Sequence, residues 1–262
     1  MGHYSPGSIA TMIDLPPTQP GWVINPQYLY FEGEASGARR VPLGGLVTGE
    51  ISAESQALTL GGLYTFPEQV GGAWFSVGAY LPYVWLDVDA TVEVPLLGDF
   101  RASDRTSGIG DLSIIPAMFA WKKDAWQCNA FLNVYAPTGK YEAGALANPG
   151  LNYWTFQPVV GVAYSSEKTG FNWALDCGAT FNTRNAATDY RSGSIIHVDA
   201  SAQQMFSVGP GFLTLGAVGF FYQQVSGDSG SGARLGDFEG RSMGLGPAIG
   251  YVLPREKDSF VI

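Results

Sequence analysis

The chain has 262 residues, 46% hydrophobic but only 14% charged, against roughly 25% charged in an average soluble domain, so much of its surface need not face water. A net charge of -9 with no basic stripe argues against nucleic-acid binding. No run approaches the ~18 consecutive apolar residues of a membrane helix. The 35 glycines also work against long helices, which leaves a closed barrel as the membrane structure that satisfies every backbone group.

In chain order, the stretch before Trp22 comes first. Pro16, Pro17 and Pro20 keep it from forming helix or strand. Residues 1–20 are therefore set apart from a barrel spanning 21–262. They are expected to pack at the periplasmic mouth, to fold into the lumen, or to hang as a loose tail. Strands follow at Trp22–Phe31, Leu58–Phe66, Ala73–Val88, Asp111–Trp121, Trp126–Ala136, Tyr153–Tyr164, Phe171–Asn182, Ser194–Phe206, Phe212–Gln223 and Met243–Leu253. An eleventh begins at Ser259.

The connections alternate between short and long. Tight turns fall at Phe66–Gly71, Lys122–Asp124, Ser166–Gly170, Val208–Gly211 and Pro254–Asp258. Long Gly-, Asp- and Arg-rich stretches fall at Glu32–Ser55, Ala90–Gly108, Gly139–Leu151, Asn182–Gly193 and Ser226–Gly240. Tight periplasmic turns and long outer loops mark an all-β, antiparallel, up-and-down transmembrane β-barrel. Such barrels use even strand numbers, so twelve strands are expected in the intact protein, with a ten-stranded barrel and short tail as the fallback.

Within strands, one parity is apolar and the other polar. Trp126, Cys128, Ala130, Leu132 and Val134 alternate with Gln127, Asn129 and Asn133, and the next two clean strands repeat the pattern. This assigns Asn129, Asn133, Asn172, Asp176, His197, Asp199 and Gln203 to the lumen, together with Tyr222. Leu29, Val159 and Phe220 are expected to supply apolar steps in a mixed lumen. Pro26, Pro82, Pro116, Pro158 and Pro247 lie inside strands, where each removes a ladder donor. They are expected at wall bulges, bending a continuous wall or, alternatively, opening a lateral gap.

Aromatics near strand ends, among them Trp22, Tyr64, Trp121, Trp126, Tyr153, Trp154 and Tyr164, fit interfacial girdles. Arginines concentrate in the long connections, either to hold lipopolysaccharide phosphates or simply as a solvated surface. Catalysis finds little support. His197, Asp199 and Ser201 share one face of one strand, but spacings of roughly 6.5 to 7 Å are too long for a hydrogen-bonded relay. Two histidines and two cysteines show no metal-ligand spacing, and no cofactor motif is present. Cys128 and Cys177 sit two strands apart and should be free thiols.

Three ordered motifs then bear on identity: Gly2-His3-Tyr4-Ser5-Pro6-Gly7, Ser107-Gly108-Ile109-Gly110-Asp111, and Ala136-Pro137-Thr138-Gly139-Lys140-Tyr141 followed by Asn152-Tyr153-Trp154. Together they resemble the outer-membrane channel family named for the meta-pathway of phenol degradation, over Gly2 to about Leu253. The resemblance implies a Gram-negative outer-membrane barrel that admits small hydrophobic molecules, and it brings no catalytic residue. The expectation is a monomeric channel for passive uptake of small hydrophobic or aromatic solutes, in contact with outer-membrane lipid and lipopolysaccharide. The alternative is a barrel that does not transport and serves as anchor or adhesin through its loops.

Overall fold

The structure is a computed structural model that describes residues 3, 4, 6, 7, 9, 15–41, 45–94, 98–233, 239–254 and 259–261. Its strands are β1 (Gly21–Val41), β2 (Gly45–Thr65), β3 (Trp74–Val94), β4 (Gly98–Ile109), β5 (Leu112–Lys123), β6 (Trp126–Ala136), β7 (Thr155–Ser165), β8 (Phe171–Asn182), β9 (Ile195–Val208), β10 (Gly211–Gln224), β11 (Arg241–Pro254) and β12 (Ser259–Val261). They form one antiparallel up-and-down sheet in chain order. The beginning of β3 pairs with β5 and its end with β4, so β4 and β5 share one rank of the wall, broken at Gly110 and Asp111. Among the described residues no ladder joins β1 to β11 or β12.

The stretches Glu32–Ser55 and Ala90–Gly108 are not loops. They are the arms of two long hairpins, β1 with β2 and β3 with β4, whose ladders run unbroken from Gly21↔Thr65 to Val41↔Gly45 and from Tyr83↔Ile109 to Val94↔Gly98. Glycines and charges there read as loop, but a strand that has left the lipid layer carries the same polar residues on its outer parity.

Burial is inverted relative to a water-soluble protein. Asn129, Gln157, Asp176, His197 and Asp199 are buried, whereas Met243, Leu245 and Ile249 are 75%, 83% and 74% exposed. Alternation explains this: β7 reads buried-exposed from Thr155 to Val160, and β8 and β9 repeat it, with polar side chains inward and apolar ones outward. Apolar clusters inside are small: Ala163 and Ala174 with Leu15, and Leu63, Ile115 and Met118 with Tyr80 and Phe131. On the outer face, ring contacts link Trp22, Tyr64, Phe66, Phe75, Phe119 and Trp121, and then Trp126, Tyr164 and Trp173, along the tight-turn rim. Tyr153 does not join this girdle: it is 4% exposed and turned inward against His3.

The prolines behave less uniformly than bulges would require. Pro116 falls at a register shift on both sides of β5, and Pro82 lies beside a one-residue shift, from Tyr83↔Ile109 to Tyr80↔Ser113. Pro82 lies where β3 changes partner, and its carbonyl accepts Gly110 N–H at 2.9 Å, so its missing donor faces the break between β4 and β5. At Pro158 the β7–β8 ladder skips two residues without losing register. Pro26 and Pro247 keep register with β2 and β10 and lie on strands whose other side is unpaired at that level among the described residues. At Pro158, Pro26 and Pro247 a ladder donor is dispensable without a bulge.

Candidate functional site

The inner face of β6 to β9 carries a polar wall, and the N-terminal segment lies along it. Near the tight turns, Gln127 Nε2 donates to Pro16 O at 2.8 Å and Leu15 packs on Ala163 and Ala174. Further along, Tyr4 OH donates to the Asp199 carboxylate at 2.8 and 2.9 Å, and Gly7 N–H donates to it at 3.0 Å. The Tyr4 ring stacks on His197 with centroids 4.1 Å apart and meets Tyr222 edge-on.

At the far end the three sequence motifs meet. His3 Nε2 lies 2.8 Å from Asp111 Oδ2, and His3 Nδ1 lies 2.7 Å from Thr155 Oγ1. Asp111 also accepts Gly139 N–H at 2.8 Å and Leu151 N–H at 2.7 Å. The His3 ring stacks on Tyr135 at 4.8 Å. Glycine, proline and aspartate in these motifs read locally as punctuation. What the sequence could not show is that each motif supplies one partner of a single junction, because contacts across 108 and 152 residues leave no local pattern.

Asn129, Asn133, Asn172, Asp176, His197, Asp199 and Gln203 are all buried on the inner parity, and Tyr222 is half-buried there beside Tyr4. Register aligns Asn129, Gly161, Asp176 and Asp199 across four adjacent strands. A Cβ on Gly161 would strike Asp176 Oδ1, and one on Gly178 would strike His197 Nε2. These inward glycines therefore make the room that the larger side chains occupy. Gln157 belongs to the same wall. The alternation of Thr155, Gln157, Val159, Gly161 and Ala163 was the signal for it.

His197 and Asp199 correct the spacing argument made above: Nδ1 and Oδ2 are 2.9 Å apart. Side chains two residues apart lean along the strand, so their tips can meet although their Cβ atoms cannot. No serine completes a relay, because His197 Nε2 is taken by Gln157 Nε2 at 2.9 Å.

The opposite part of the inner face is mixed, with Asn25 and Gln27 of β1 and Thr59 of β2 among apolar and small residues. Val23, Leu29 and Phe31 of β1, Val84 and Leu86 of β3 and Phe220 of β10 share its parity, and β11 contributes Gly244, Gly246, Ala248 and Gly250. Leu29 and Phe31 are about half exposed, at 46% and 47%. Val159, by contrast, is buried in the polar wall at 2%.

Loop arginines are used locally. Arg105 pairs with Asp87, Arg184 with Asp189 at 2.7 Å, and Arg191 Nε donates to Asn182 O at 2.9 Å; Arg234 lies outside the described residues. Cys128 and Cys177 are exposed, free thiols. Among the described residues no group of three or more His, Cys, Asp or Glu is placed to hold a metal ion.

Fold and lining together define a β-barrel of the outer-membrane channel type, with its own N-terminal segment laid along a polar inner wall. A family profile described as "Putative MetA-pathway of phenol degradation" matches residues 34–259, and the chain belongs to that family. Among solved structures, an outer-membrane channel from Pseudomonas putida F1 has a similar fold, with a TM-score of 0.61 and 16% identity over 95% of this chain and 86% of that one. The likeness is to a channel, not to an enzyme. A search of curated proteins returns no match.

Proposed function

We propose that the protein is a bacterial outer-membrane channel through which small hydrophobic or aromatic molecules diffuse passively. The observation that carries this reading is the two-sided lumen. The polar wall of β6 to β9 is taken up by the N-terminal segment, which reaches Phe220 through Gly7, and the face left to a solute bears Leu29, Phe31, Val84 and Leu86 beside the small residues of β11, with Asn25 and Gln27 as polar steps among them. A solute poor in hydrogen-bonding groups loses nothing by leaving water for such a face. Wall continuity supports passage along the lumen rather than sideways: from β2 to β10 neighbouring strands stay paired, and the register shifts at Pro116 and at the break between β4 and β5. The solvated outer loops would then face lipopolysaccharide, with the barrel acting as a monomer.

A second reading has one observation in its favour. The N-terminal segment occupies lumen space, as it would in a barrel that only anchors or adheres. Single-channel recording of the purified protein in planar bilayers separates the two: a channel conducts ions in discrete steps, and a purely structural barrel shows none.

A further inference from the structure

The chain has two histidines. One lies on the N-terminal segment, the other on the wall beneath it, and each is paired with an aspartate. Hydrogen-bond polarity differs around the two rings. Asn182 Nδ2 donates to Ser192 O and Gly193 O, so its Oδ1 faces Thr155 and receives the one hydroxyl proton of Thr155 at 2.6 Å. Thr155 Oγ1 can then only accept from His3, so Nδ1 carries a proton. The Asp111 carboxylate, already taking two backbone N–H bonds, also accepts, so Nε2 carries one as well. Both ring nitrogens of His3 therefore face acceptors.

His197 is the reverse. Gln157 Oε1 receives Asn133 Nδ2 at 3.0 Å and Tyr135 OH at 3.1 Å, which turns the Gln157 amide N–H toward His197 Nε2. Nε2 must accept, and the single ring proton sits on Nδ1, donated to Asp199. His197 is neutral.

We propose that the N-terminal segment is held in the lumen by a proton-keyed latch. The imidazolium of His3 is clamped between Asp111 and Thr155, and loss of one proton sets two lone pairs against each other there and frees the end of the segment. This regulates the pore of the proposed channel, but the latch itself does not depend on that reading. Ionisable groups facing His3 are Asp111 from the junction of β4 and β5, Tyr135 from β6, and Tyr153 from the chain before β7. Those facing His197 are Asp199 and, on the segment and β10, Tyr4 and Tyr222, with Asp176 in register with Asp199. Of these contacts, the His3–Asp111 pair is the one that ties the end of the segment to the wall through a ring proton.

With histidine alone labelled by nitrogen-15, four ring nitrogens report on the protons directly, and a His3→Gln sample assigns them. On the acid side of neutrality both nitrogens of His3 should be protonated and Nε2 of His197 bare; a bare nitrogen on His3 there would overturn the proposal. Hydrogen exchange of residues 1–9, corrected for intrinsic rate, supplies the second readout. As the medium is taken from the acid side of neutrality into the alkaline range, protection of Gly7 N–H should fall about tenfold or more, the weight of one charge-assisted hydrogen bond. His3→Gln and Asp111→Asn should lack that step, and a step that persists in His3→Gln refutes the latch. Release of the segment without ion conductance would uphold the latch and defeat the channel reading. Conductance with protection unchanged across the range would do the opposite.

Discussion

Single side chains in this wall are placed by what their neighbours lack. His197 fits because residue 178 has no Cβ, so Gly178→Ala should push the ring from Gln157 and Asp199 and cost roughly 1 to 3 kcal/mol, the usual penalty for overpacking. Urea titration of the detergent-solubilised barrel measures it. Outside the membrane, the phenol of Tyr190 is pushed up to about 12 by burial and by the Asp228 carboxylate that accepts its hydroxyl at 2.7 Å. Its value in the folded chain lies above the unfolded value near 10. The stabilisation is therefore complete below about pH 10 and lost as the pH climbs toward 12. Ultraviolet titration of the folded protein should show several late phenolates, and Tyr190→Phe should remove one of them. At this scale the sequence was legible in parity but not in reach: alternation identifies His197 and Asp199 as neighbours on one face, and only their rotamers bring them to 2.9 Å.

Among the elements, the N-terminal segment is the one that can be removed without unpairing a strand, since its contacts to the wall are side-chain bonds and rings. A chain lacking residues 1–20 should still assemble into a heat-modifiable barrel, with single-channel conductance above that of the full chain. Equal conductance would mean that the segment does not limit the pore. The cysteines on β6 and β8 should both react with maleimide without prior reduction, as free exposed thiols; failure of both would put them elsewhere than on the outer face. Tight turns and strand centres could be read from alternation because it is a local signal. The hairpin arms could not, since Glu32 opposite Glu54 and Glu54 opposite Asp87 are pairings set by partners on other strands. Like charges so placed are unfavourable in isolation, and nothing in either segment alone marks it as extended.

For the molecule as a whole, the account rests on an inverted distribution: apolar side chains outside, a polar wall with a bound segment on one side of the lumen, and a mixed face richer in apolar side chains on the other. Leu245→Arg, on the outer parity, should destabilise the barrel in lipid vesicles by about 2 to 4 kcal/mol if that face meets the middle of the bilayer, whereas a soluble protein would tolerate an arginine at so exposed a site. The most direct test of the central claim is the rate at which a radiolabelled monocyclic aromatic hydrocarbon enters cells with an intact lipopolysaccharide layer. The comparison is between cells lacking the gene and cells complemented with the wild-type chain or with the Leu29→Asp, Phe220→Asp double variant, whose assembly and ion conductance are checked in parallel. Slow uptake without the gene, restored by the wild type and not by an assembled, conducting double variant, is the predicted result. Uptake that is the same with and without the gene, or fully restored by the double variant, would contradict the account.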